Sequence, residues 1–309
     1  MPDAAPPDDV RRLVAERAAA RGARDWTRAD ELRERIAALG WEVQDGPGGS
    51  TVRPALPSDP AARHGEGTDT GSRLDEPAQV AASLQILAED HPDDLRRLLR
   101  GLRAHAPPPT WELVVVGNAP TFDLDEALAE SPVDAVAVET RGRLGWADAR
   151  TLGLRRSLGE VTVVLDTSVE PTGDFLSPLL EAFEDPSVGI AGPWGVVSET
   201  GRQFEEGAPG EEDAIEAYCL AVRRDALRRV PGFDARFRFY RNADLDFSFA
   251  VRDAGWRAVQ TEPLPLARHE HRGWAAFPEA ERDRLSRRNF YRFLDRWRDR
   301  TDLLVARRP

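Results

Sequence analysis

The stretch Val161–Asp174, VTVVLDTSVEPTGD, opens as an unbroken apolar run and ends abruptly in a carboxylate, two hydroxyl residues and a turn. Such a run reads as a strand buried on both faces, the habit of parallel sheets covered by helices. Asp166, at its carboxyl end, sits where α/β sheets hold metal-bound phosphates and catalytic bases. Farther along, FYRNADLDFSFAVRDAGW (Phe239–Trp256) supplies a second acidic pair, Asp244 and Asp246, at the start of a helical pattern. Two carboxylate clusters of this kind imply a site for a sugar nucleotide.

Working outward, strands and helices alternate from Gln79 on. VAASLQILA is a buried strand, HPDDLRRLLRGLRAHA a helix with a Pro-Asp-Asp start, and WELVVVGNAP a second buried strand. VDAVAVET, a helix over 145–158, the strand VTVVLD and a helix over 174–183 follow. This rhythm predicts an α/β fold with a mostly parallel, doubly wound sheet. No G-x-G-x-x-G follows the first strand, which argues against a nicotinamide-binding domain.

The N-terminal part is separate. Leu13, Val14, Arg17 and Ala20 share one helical face, and Ala29, Leu32, Arg33 and Ile36 share another, predicting a helical hairpin with Thr27 as N-cap and Gly40 as stop. WEVQDGPGGSTVR reads as two short strands about a glycine-rich turn. The expected organisation is a small module over 8–53, a disordered linker over 54–78 rich in Pro, Gly, Ser, Asp and Ala, and a large α/β domain over 79–309.

Composition bounds the chemistry. With 309 residues, 41% hydrophobic and 31% charged, the chain is long enough for one large domain and an appendage. No apolar run reaches membrane-span length, and the start MPDAAPPDDV lacks the regions of a signal peptide, so a cytoplasmic location is expected. The single cysteine, Cys219, excludes an intramolecular disulfide and a Cys-rich zinc site; in a predicted strand it reads as inert packing. Every basic residue is arginine, which excludes Schiff-base chemistry and a lysine P-loop. A net charge of −12 argues against nonspecific nucleic-acid binding.

From about Val80 to the C-terminus, the order of motifs resembles the family 2 glycosyltransferases of the GT-A fold, inverting enzymes that use nucleotide-activated sugars. ELVVVGNAP sits where the family has a strand ending in Asp-Asn-x-Ser, and RGRLGWADARTLGLRRSLGEVTVVLDTSVEP resembles its segment leading into Asp-x-Asp. YCLAVRRDALRRVPGFDARF is similar to the acceptor-side strand and Gly-Phe-Asp-Glu turn, ADLDFSFAVRDAGW to the Glu-Asp-x-Asp-Leu helix, and SRRNFYRFLDRW to a closing helix.

The resemblance implies roles residue by residue. Asp166 fills the first Asp-x-Asp position and Ser168 the second, so a divalent cation, Mn²⁺ or Mg²⁺, is an implied cofactor with one weakened ligand. Glu170 is near, and of His269 and His271 the second is the implied late metal ligand; the alternative is that both imidazoles only hydrogen-bond within a polar loop. Asp244 aligns with the base that takes the acceptor proton, and Asp246 supports the site or caps the helix; the alternative makes both simply helix-start acids. Ala243 and Ala250 replace a glutamate and an arginine of the pattern. At the nucleobase end Gly117 replaces an aspartate, leaving Asn118, with Glu89 or Asp90 as substitutes. Arg150 aligns near the diphosphate, with a solvated helix arginine as alternative. Trp194 and Trp274 are candidates to stack on sugars or to fill core.

The segment ERAAARGARDWTRADELRERIAALGWEVQDGPGGSTVR resembles the C-terminal tail of cysteinyl-tRNA synthetases. From Asp8 to Asp45 eight arginines meet nine acidic residues, a balance that suits a solvated helical face, hence a tethered interaction or spacer module, better than a phosphate-binding patch. The expected partners are a nucleoside diphosphate sugar and a saccharide, lipid-linked or other hydroxyl acceptor. The competing reading is the same fold with an eroded site kept for nucleotide or partner binding, and a third is an RNA-associated protein.

Overall fold

In the computed structural model the described residues are 6–23, 25–39, 41–46, 49–54, 71–140, 142–230 and 232–305. At the N-terminus α1 (Asp8–Gly22) and α2 (Trp26–Ala38) precede an antiparallel hairpin of β1 (Trp41–Gly46) and β2 (Gly49–Pro54), whose register pairs Trp41 with Pro54. Val10, Leu13, Leu32 and Ile36 meet Trp41 and Val43 in one small core. Leu13, Arg17, Ala29, Leu32 and Ile36 are buried as the helical spacing predicts, while Arg33 is exposed. The cap expected at Thr27 falls on Asp25, whose carboxylate accepts the Arg28 backbone N–H at 3.0 Å. Gly40 lies outside the described residues.

Of the expected linker, 55–70 also lies outside the described residues, whereas Gly71–Ala78 packs on the α/β body. Leu74 is buried in its core. The Arg224 guanidinium donates to the carbonyls of Arg73, Glu76, Ser157 and Gly159, clamping this segment to the body.

The body begins with β3 (Val80–Ala88), α3 (Pro92–Ala104), β4 (Trp111–Gly117), α4 (Leu124–Leu128), β5 (Ala135–Glu139), α5 (Trp146–Arg156) and β6 (Gly159–Leu165). It continues with β7 (Val169–Pro171), α6 (Leu176–Glu181), β8 (Val188–Gly192), β9 (Gly195–Val197), β10 (Glu205–Glu206), β11 (Gly210–Glu212), β12 (Ala214–Ile215) and β13 (Cys219–Arg223). The last elements are α7 (Arg224–Arg229), α8 (Ala243–Asp253), β14 (Arg257–Gln260), β15 (Leu266–Arg268), α9 (Arg272–Ala275) and α10 (Glu279–Trp297).

Eight strands form the central sheet in the order β11-β14-β8-β13-β6-β3-β4-β5. The pairs β6/β3, β3/β4, β4/β5 and β14/β8 are parallel; β13 runs against both neighbours, and β11 is antiparallel to β14. Period-two alternation sends Val161, Val163 and Leu165 to one face, against α3 and α6, and Val164 to the other, with α5, α8 and α10. The helices match that demand: α3 buries Leu95, Leu98, Leu99 and Leu102 along one stripe. The chain leaves β3 outward through β4 and β5, then returns to its other side as β6. A crevice therefore opens between the carboxyl ends of β3 and β6, the switch point at which α/β sheets bind ligands.

Candidate active site

Glu89 and Asp90 follow β3, Asp166 follows β6, and α5 brings Arg150 between them. A cavity of about 410 Å³ occupies the crevice, lined by Glu89, Asp90, Arg150, Asp166, Tyr240 and His271 among others. A second cavity of about 220 Å³ adjoins it, lined by Glu216, Tyr218, Arg241 and Asp244. Trp146, Asp166, Tyr240 and His271 belong to both walls, so the two spaces meet at Asp166 and His271.

Asp166 is 15% exposed. Its Oδ1 accepts the backbone N–H and the hydroxyl of Ser168 at 2.9 and 2.6 Å, an Asx-turn that spends Ser168 on its neighbour. Its Oδ2 faces Arg150 at 3.5 Å and His271 Nε2 at 3.6 Å. Burial opposes the charge on Asp166, but His271, Arg150 and Ser168 together outweigh it and hold the carboxyl below its ordinary range. Arg150 is 1% exposed and donates to the Gln85 side chain and the Leu165 carbonyl. Burial draws its guanidinium down to about 10, with Asp166 and Glu89 pulling back, so it is cationic at neutral pH. It is a buried charge at the cavity wall rather than a solvated helix arginine.

Asp244 opens α8 behind Asn242, which holds φ 63°. Oδ2 of Asp244 accepts the Ala217 backbone N–H at 3.1 Å and Oδ1 that of Leu245 at 3.0 Å. Burial pushes its carboxyl above the ordinary range, against those hydrogen bonds and the Arg241 charge, which strengthens it as a base.

Other expected residues do different work. Asp246 does not reach either cavity: it is 1% exposed, accepts the Trp297 indole N–H at 2.7 Å and faces Arg296 at 3.0 Å, bracing α8 to α10. Asn118 is fully buried and ties loops together, its side chain donating to Glu89 and the Leu144 carbonyl and accepting from the Leu144 N–H. Ser168 is buried with its hydroxyl turned to Asp166. Glu89 does line the cavity, and burial raises its carboxyl against the pull of Arg143 and Asn118. Asp90 pairs with Arg143 at 3.0 Å.

His269 binds Glu170 at 2.7 Å beyond the β7/β15 ladder, leaving only His271 beside Asp166. Trp194 packs edge-on to Tyr218, and Trp274 stacks on Phe239; neither lines either of these two cavities. At Gly117 a Cβ would come within 2.8 Å of Leu124, so close packing fixes the glycine. Cys219 is buried in β13, where its thiol is pushed up by burial.

The sequence reading missed Trp146, Tyr240 and Glu216. Trp146 lies inside the quoted RGRLGWADAR segment and Tyr240 just before Asp244, so adjacency to the motifs was their signal. Glu216, in an acidic stretch, looks like a solvated charge; burial and the nearby Asp244 raise it to about 7.

Residues 86–247, more than half of the chain, match the family model described as Glycosyl transferase family 2. The chain belongs to that family. It is 26% identical over 235 residues to the pre-mycofactocin glycosyltransferase of Mycobacterium tuberculosis, covering 70% of this chain and 47% of that protein. The chain thus spans about half the length of the curated family relative it matches. The family's GT-A fold is present as well: the crystal structure of GalNAc-T7 with UDP, GalNAc and Mn²⁺ superposes with a TM-score of 0.59 at 14% identity, over 72% of this chain and 50% of that one. Residues 3–53 match the cysteinyl-tRNA ligase anticodon binding domain. Over 44 residues the chain is 57% identical to the cysteine–tRNA ligase of Phenylobacterium zucineum, covering 14% of this chain and 9% of that enzyme. Among the described residues no helix is long and apolar enough to cross a membrane.

Proposed function

We propose that the chain is an inverting glycosyltransferase that takes a sugar from a nucleoside diphosphate and delivers it to a hydroxyl acceptor. The observation that carries this reading is the meeting of two cavities at Asp166, with a permanent cation on the first and a basic carboxylate on the second. The crevice between β3 and β6 takes the nucleotide diphosphate, Arg150 meets its oxygens, and the sugar lies at the junction walled by Trp146 and Tyr240. The acceptor hydroxyl enters the second cavity. Its oxygen bonds the anomeric carbon from the face opposite the diphosphate as the bond to the leaving oxygen breaks, and Asp244 takes its proton.

The crystal structure of GalNAc-T7 holds Mn²⁺ with UDP, which makes a divalent cation a natural companion for such a diphosphate. In this chain the donors do not fit one. Ser168 is buried with its hydroxyl turned to Asp166, His269 binds Glu170, and among the described residues no three His, Cys, Asp or Glu side chains gather as a cation site.

We assign residues 8–54 to a tethered interaction or spacer module and 71–305 to the transferase body, each with its own apolar core.

A melting-temperature panel of UDP, GDP and dTDP tests the reading. At about a hundredfold excess over Kd a ligand adds about 2.7 kcal/mol, or about 5–11 °C for a domain of this size. Asp244→Asn keeps that shift and loses transfer. A flat panel refutes the reading.

A further inference from the structure

The imidazole beside Asp166 presents a hydrogen rather than a lone pair to the cavity. His271 Nδ1 accepts the Trp274 backbone N–H at 3.0 Å, an N–H it shares with the His271 carbonyl at 2.9 Å. A backbone amide only donates, so Nδ1 turns its lone pair to that N–H and the ring N–H lies on Nε2, the nitrogen that faces Asp166 at 3.6 Å. A metal ligand needs the reverse: a bare Nε2, with a proton on Nδ1 that would then point at the Trp274 N–H, donor against donor.

The ring is held in this pose. It stacks on Tyr240 at 4.6 Å with 12° between the planes, and Tyr218 packs against it edge-on. The other groups around Asp166 are donors too: Ser168 supplies N–H and O–H to Oδ1, and Arg150 supplies a guanidinium to Oδ2. An arriving divalent cation would find Asp166 balanced by Arg150, and Glu89 and Asp90 facing Arg143. An arriving diphosphate would find the His271 Nε2–H and the fixed positive charge of Arg150 at the cavity wall.

We propose that this site binds a nucleoside diphosphate without a divalent cation, with His271 Nε2–H and the Arg150 guanidinium meeting the diphosphate oxygens. The inference rests on the nucleotide-sugar reading of the cavity.

Calorimetric titration of the full chain with UDP and with inorganic pyrophosphate, in excess EDTA and again in Mn²⁺, tests it. The expected affinities agree within about threefold between the two conditions, a difference of about 0.7 kcal/mol or less. His271→Gln, whose amide N–H reaches the Nε2 position, binds pyrophosphate in EDTA nearly as well as wild type. His271→Ala loses about tenfold or more, as befits a hydrogen bond to a charged group. Binding that disappears in EDTA and returns with Mn²⁺ overturns the proposal and leaves the transferase reading standing. Equal losses in the Gln and Ala variants also overturn it. No binding in either condition overturns both.

Discussion

Replacing Asp246 separates bracing from chemistry. Its side chain is 2% exposed, with the Trp297 indole N–H at 2.7 Å and the Arg296 guanidinium, itself 39% exposed, at 3.0 Å. Asp246→Ala leaves the buried indole N–H without an acceptor, a loss of about 1–3 kcal/mol, and the vacated carboxyl volume adds to it. A total of about 3 kcal/mol lowers the melting temperature by about 6–12 °C in a body of this size. Asp246→Asn behaves differently. Its carbonyl oxygen still accepts from Trp297, and the lost attraction to half-exposed Arg296 is worth about 0–1 kcal/mol. Burial raises the Asp246 carboxyl against the pull of Arg296 and Trp297, so a neutral amide escapes the desolvation that the carboxylate suffers at neutral pH. Asp246→Asn therefore melts within about 1 kcal/mol of wild type and retains nucleotide binding and transfer. Scanning calorimetry with the UDP, GDP and dTDP panel reads both quantities. Unchanged melting in Asp246→Ala, or loss of transfer in an Asp246→Asn that melts normally, refutes the bracing role.

Glu216 supplies a pH signature: its carboxyl is raised from 4.5 to about 7, so its contribution to stability is full below pH 4.5 and is lost as pH rises through about 7. Glu216→Gln lacks that loss, and its melting temperature gains on wild type as pH climbs over this window; parallel curves refute the shift. At Gly153 an added methyl would lie 2.5 Å from Gln85 Nε2 and 2.6 Å from its Cγ, displacing the side chain that accepts from Arg150 at 3.0 Å. Gly153→Ala is expected to cost about 1–3 kcal/mol in a urea melt and to weaken nucleotide binding, whereas a normal melt with normal binding contradicts it.

Much of the architecture was legible because burial writes itself into period and composition. The apolar run before Asp166 fixed a two-sided strand, and the Pro-Asp-Asp start with leucines at helical spacing fixed α3. Asp166, Asp244, Arg150 and His271 were legible because their types and order match a known pattern. Asp246 was misread against a rule the sequence contains: two residues along a helix is about 200°, so Asp244 and Asp246 point to opposite sides. Asp-x-Ser also spells an Asx-turn, which is the arrangement Ser168 takes. At Asn118, an asparagine at a strand end suits a ligand and a loop tie equally, and only its partners show the tie. Glu216 stayed hidden because cavity walls are assembled from segments far apart in the chain, which no local period records.

The Arg224 clamp has a consequence for how the molecule can be handled. It grips Arg73 and Glu76 beside Ser157 and Gly159, at the amino end of β6, while Asp166 stands at the carboxyl end of the same seven-residue strand. That length places the point where the chain enters the α/β body roughly 20 Å from Asp166. A fluorophore or solid support attached at Gly71 itself is thus held at the end of the sheet away from Asp166.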